Sequence, residues 1–84
     1  MALTFAQLRE YAKEYASRPM SFSREDFISK VEEYVNSLPP ERQEWVLNVI
    51  TQFGVISVKY KELPRKLRED PEFFERYIRV LTGR

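Results

Sequence analysis

The sequence predicts an all-α fold: a compact bundle of four main helices plus a short helical turn, with helix 3 central, forming a single domain over residues 1–84. Three observations lead there. Apolar residues recur at helical spacing through most of the chain. Helix start and stop signals bracket three of the segments. The one stretch with strand-like alternation has no second strand to pair with.

Helix 1 is expected over 5–17. Thr4 is a good N-cap, Gln7 at the third helical position completes a capping box, and Phe5, Leu8, Ala12 and Tyr15 share a face. Arg18–Pro19 ends it, because the residue before a proline avoids the α region. Helix 2 is expected over 24–37. Ser23 is its cap, Asp26 stands at the third position, and Phe22 before the cap can meet Phe27 as a hydrophobic staple. Phe27, Val31, Tyr34, Val35 and Leu38 form its buried stripe.

Helix 3 starts after "LPPE", with Pro40 in the first turn. Trp45, Val46, Val49, Ile50, Phe53, Ile56, Tyr60 and Leu63 keep to one arc if it runs to about residue 62. Such a helix would be about 33 Å long, against an expected radius of gyration of about 12 Å for a domain of this size. The rival reading stops at Gly54 and makes Ile56, Val58 and Tyr60 the apolar side of a strand, which would then need another subunit. Helix 4 is expected over 71–82, with Asp70 as cap, Pro71 at the first position and Gly83 at the left-handed C-terminal position. "RKLRE" before it has room for one short helical turn.

Composition narrows the function. With no cysteine and no histidine, disulfides, cysteine-based metal sites, nucleophilic triads and histidine acid–base chemistry are excluded. Two glycines, Gly54 and Gly83, cannot build a phosphate-binding glycine loop. Glu10/Glu14, Glu41/Glu44 and Glu72/Glu75 have spacings that could hold Mg²⁺, but each pair lies opposite an apolar stripe among Arg and Lys, as surface ion pairs do. The reading is non-enzymatic, with no cofactor. "MALTFAQLRE" lacks the features of a signal peptide and no apolar run approaches a membrane span, so the expectation is a soluble, cytoplasmic protein with no membrane partner. Eleven Glu against two Asp, nine Arg against five Lys, and few Asn or Gln give a thermophile-like composition.

Net charge is +1, distributed as −2 over residues 1–58 and +3 over 59–84. "VKYKELPRKLRED" concentrates the positive charge. Lys59, Lys61, Arg65, Lys66 and Arg68, with Arg76 and Arg79 further on, are the candidates for nucleic-acid contact; Glu62, Glu69 and Asp70 interrupt the run, as they would on an ion-paired surface. Tyr11, Tyr15 and Tyr60 are the aromatics best placed for a surface role. On helix 3, Leu47, Thr51, Val55 and Val58 make a second stripe bordered by Gly54. A helix apolar on two sides is buried on two sides: either helices 1 and 2 cover one side and helix 4 the other, or part of it pairs with a partner or a second copy, and Leu47, Thr51, Gly54, Val55 and Val58 are then the candidate partner interface. The leading expectation is therefore a small protein-interaction module docking through helix faces, with a protein partner or a second copy (a homodimer). The alternative is a nucleic-acid-binding protein.

From Leu38 to Leu81 the spacing resembles the helix-turn-helix of region 4 of bacterial sigma factors. Tyr60, Lys61, Glu62, Leu63 and Leu67 match its second element, and Asp70, Phe74 and Ile78 match the cap and inner face of a recognition helix. That resemblance implies DNA binding through residues 59–79. Pro64, Arg68 and Glu69 depart from the pattern, and Glu72 and Glu75 would face phosphates.

Overall fold

The computed structural model describes residues 3–18 and 20–83, with a radius of gyration of 12.2 Å. The fold is α+β. In chain order it has α1 (Phe5–Ser17), α2 (Arg24–Asn36), α3 (Pro40–Gln43), β1 (Val46–Thr51), β2 (Gly54–Lys59), a 3₁₀ turn (Tyr60–Glu62), α4 (Leu63–Glu69) and α5 (Pro71–Thr82).

Elements with their own caps form where expected. The Thr4 hydroxyl accepts from the Gln7 amide at 3.1 Å, and the Gln7 side chain accepts from the Thr4 amide at 2.9 Å. Ser23 and Asp26 exchange the same reciprocal pair, both at 3.1 Å, at the start of α2. At α5 the Asp70 carboxylate accepts from the Phe73 amide at 3.1 Å, and Gly83 closes the helix at φ +75°. Pro19, the expected stop of α1, lies outside the described residues. Phe22 stacks on Tyr11, with ring centroids 5.5 Å apart. The turn expected before α5 is longer than "RKLRE": α4 begins at Leu63 and holds Pro64 in its first turn, where a missing amide hydrogen costs nothing.

Helix 3 does not exist as a long central helix, and the all-α bundle is corrected with it. The helix that starts at Pro40 lasts four residues, and 46–59 is an antiparallel hairpin in unbroken register from Val46↔Lys59 to Thr51↔Gly54. Seven of the thirteen residues from Val46 to Val58 are β-branched. Their side chains lose χ1 freedom on a helix and fit a pleated strand. Gly54 stands at φ +116°, which no helix contains. The strand that pairs with β2 is β1, whose Val46, Val49 and Ile50 also satisfy helical spacing. A hairpin needs only a two-residue loop, here Gln52–Phe53, so no other subunit is required to pair β2.

Phe27 of α2 is at the centre of the core, with the rings of Phe74, Tyr15 and Tyr77 at 5.9, 6.4 and 6.4 Å. Leu8 and Ala12 close it from α1, Leu63 and Leu67 from α4, and Val49 and Val58 from the hairpin. Arg24 ties α2 to the end of α4: its guanidinium donates to the Leu67 and Arg68 carbonyls and lies 4.9 Å from the centre of the Phe74 ring. These carbonyls are orphans of a helix C-terminus, where a cation is favoured.

Candidate functional site

Alternation sorts the hairpin into two faces. Leu47, Val49, Thr51, Ile56 and Val58 turn toward the helices and are buried or half-buried. Val46, Asn48, Ile50, Val55, Ser57 and Lys59 turn outward, and all six are exposed. The turn is held locally: the Thr51 hydroxyl donates to the Gly54 carbonyl at 3.0 Å and accepts from the Phe53 amide at 3.1 Å.

An outward face normally alternates to polar residues. This one does so only at its middle, where Ser57 donates to the Asn48 side chain at 2.6 Å, and at Lys59. Elsewhere it is apolar. Val46 is 53% exposed, Ile50 75%, Val55 64% and Phe53 at the turn 83%. Trp45, 55% exposed, precedes β1 with the Arg42 guanidinium 5.0 Å from its ring centre. Val80 of α5, 56% exposed, shares with Ile50 a hollow of about 460 Å³ that Arg76 and Arg79 also line.

The expected interface is divided by this geometry. Leu47, Thr51 and Val58 belong to the inner face, while Gly54 and Val55 are exposed. Val46, Ile50 and Phe53, which a helix would carry on its buried arc, are at the surface. Period two, with β-branched density, is the signal that locates them. The three tyrosines pack against the core. Tyr15 lies edge-on to Phe74 at 5.2 Å, and burial pushes the Tyr15 and Tyr60 hydroxyls above the ordinary phenol range.

The cations of 59–76 are engaged by carboxylates of the same chain. Lys61 and Lys59 meet Glu44 at 2.7 and 3.5 Å. The Lys61 hydrogen bond holds the Glu44 carboxyl below its usual range. Arg65 lies between Glu62 and Glu69 at 3.7 and 3.9 Å, Lys66 meets Asp70 at 3.3 Å, and Arg76 meets Glu72 at 3.3 Å. Arg68 bridges α4 to α2 through Glu25 at 2.8 Å and Glu32 at 3.3 Å. Among the seven candidate cations, Arg79 alone forms no ion pair with a described residue. Of the glutamate pairs, Glu10 meets Lys13, Glu44 the two lysines and Glu72 Arg76. No group of three or more acidic residues that could hold a metal ion occurs among the described residues.

The helix-turn-helix layout is also not adopted. Asp70 alone separates α4 from α5, where that motif has a turn of three to four residues, and the hairpin occupies the preceding segment. Comparison with protein-family models, with curated proteins and with solved structures finds no match to this chain. No helix of the described residues is long and apolar enough to cross a membrane.

Proposed function

We propose that this protein is a small, non-enzymatic interaction module that docks onto a protein through the outward face of its hairpin. One observation carries the reading: Val46, Ile50 and Val55 on the outward face, with Phe53 at the turn beside them in the chain, are all more than half exposed. Burying such side chains contributes roughly 1.5–3 kcal/mol each, and aromatic and aliphatic anchors of this kind dominate interfaces. The pairing of Lys59, Lys61, Arg65, Lys66, Arg68 and Arg76 weighs against nucleic acid, since a phosphate would have to displace a carboxylate from each.

The test is a photocrosslinking amino acid placed at Phe53, which has room for it, in cells that make the protein. A control at Glu14, also exposed, keeps the hairpin intact. Adducts to protein from position 53 and none from position 14 are expected. Adducts to nucleic acid, or no adduct from position 53, would refute the reading.

A further inference from the structure

Docking through the hairpin leaves open what lies beside β1. The Tyr60 amide donates to the Trp45 carbonyl at 3.0 Å, so the Trp45–Tyr60 pair is hydrogen-bonded across the ladder. Antiparallel pairs alternate. Pairs 47–58, 49–56 and 51–54 are therefore hydrogen-bonded too, and the amides and carbonyls of Val46, Asn48 and Ile50 point away from β2. All three residues are exposed, and their backbone groups make no hydrogen bond to another described element. An open edge of this kind templates another strand unless a charge, a proline or a bulge blunts it. β1 has none of these. The free edge of β2 has Lys59, and the 3₁₀ turn and α4 flank it with Glu62 and with Arg65, Lys66 and Glu69.

We propose that β1 pairs antiparallel with β1 of a second copy, about a twofold axis through Asn48, making one four-stranded sheet in the order β2–β1–β1–β2. The identity of the partner rests on self-complementarity. Read in either direction, "VLNVI" is apolar, apolar, amide, apolar, apolar. Antiparallel pairing about its centre sets Val46 opposite Ile50, Leu47 opposite Val49 and Asn48 opposite Asn48, and opposes no like charges. The Asn48 side-chain oxygen already accepts from Ser57, while its amide hydrogens have no acceptor among the described residues. Across the axis each amide can donate to the other copy's oxygen. The hollow of about 460 Å³ beside Ile50 and Val80 leaves room for the Val46 that arrives opposite Ile50. The contact is isologous, so it closes at two copies and builds no filament. It rests on the docking reading in one respect: the joined sheet presents the apolar faces of both hairpins side by side.

Sedimentation equilibrium of the pure protein tests it directly, with twice the 10.1 kDa chain mass expected at high concentration. The chain has no cysteine, so Asn48→Cys introduces the only thiol. Opposed residues of a hydrogen-bonded pair have Cα atoms about 5.5 Å apart, within the span a disulfide bridges. Oxidised Asn48→Cys should run as a covalent dimer, and Ser57→Cys on the other edge should not. Asn48→Lys opposes two ammonium groups and should shift the equilibrium to monomer at least tenfold, with its far-ultraviolet spectrum retained. A monomer at every concentration, equal crosslinking from Ser57→Cys, or a dimer that survives Asn48→Lys would each overturn the pairing. Adducts of Phe53 to a different protein, together with a monomer in the centrifuge, would refute the pairing alone and leave the docking reading intact.

Discussion

Single residues decide where this chain bends. Gly54 has open space where a Cβ would stand, so Gly54→Ala would meet no clash. Its φ of +116° is the obstacle. Backbone strain of that kind costs of the order of 1–3 kcal/mol, and Gly54→Ala should lower stability by about that amount in urea titration. A continuous helix through residue 54 would give the opposite sign, about 1 kcal/mol of stabilisation. Asp70 gives a second test at this scale. The Phe73 amide, and after it Lys66, hold the Asp70 carboxyl below its usual range. A depressed carboxylate contributes stability that is present in full above its unfolded value, near 3.9. That contribution is lost as the pH falls through the lower folded value. Asp70→Asn keeps a good cap but removes the titration. Its urea midpoint should fall less steeply than that of the unaltered protein as the pH drops below about 4, the unfolded value.

At the scale of elements, Val49 and Ile50 separate the two architectures. On a helix they share the buried arc. On β1 they face opposite ways, with Val49 at 1% exposure and Ile50 at 75%. Val49→Ala should cost about 2 kcal/mol, and Ile50→Ala should stay within about 0.5 kcal/mol in the free chain. Equal losses in chemical denaturation would restore the helix. The amphipathic elements were legible from their pattern because their caps are local: Thr4 with Gln7, Ser23 with Asp26, and Asp70 with Phe73 each satisfy amides three residues away. The hairpin was not. Apolar positions 46, 49 and 50 satisfy spacings of three and four as well as a two-sided strand, and periodicity cannot separate these over so short a run. β-branched content and the glycine after Gln52–Phe53 were the better guide.

Across the whole molecule, charge is spent on joining elements. Arg68 links α4 to α2, Glu44 links the end of α3 to the end of β2 and to the 3₁₀ turn that follows it, and Arg24 closes the end of α4. Exposed pairs of this type are screened by solvent and contribute little to stability, and their larger effect is on what the surface can bind. With Lys59 through Arg68 neutralised by their neighbours, affinity for duplex or single-stranded nucleic acid should be no tighter than roughly 100 μM at physiological salt, as non-specific binding is. Fluorescence anisotropy against labelled DNA and RNA measures this. Submicromolar affinity would reverse the ranking of protein over nucleic-acid partners.

What the sequence by itself determined is the set of contacts made within a few residues: the bounds of α1 and α5, the start of α2, the stop at Gly83, and the interruption of the basic run by Glu62, Glu69 and Asp70. Each rests on a cap, a proline or a charge three or four positions away, and such neighbours are fixed by the chain. Tertiary structure alone decided which of two patterns residues 46–58 obey. Val49 and Val58 are buried together only when the chain folds back at Gln52–Phe53. The same fold-back turns Val46, Ile50 and Val55 outward, because a strand alternates sides at every residue while a helix returns to the same side after three or four. The candidate site is therefore a consequence of long-range packing, although every residue in it is written in one short stretch of sequence.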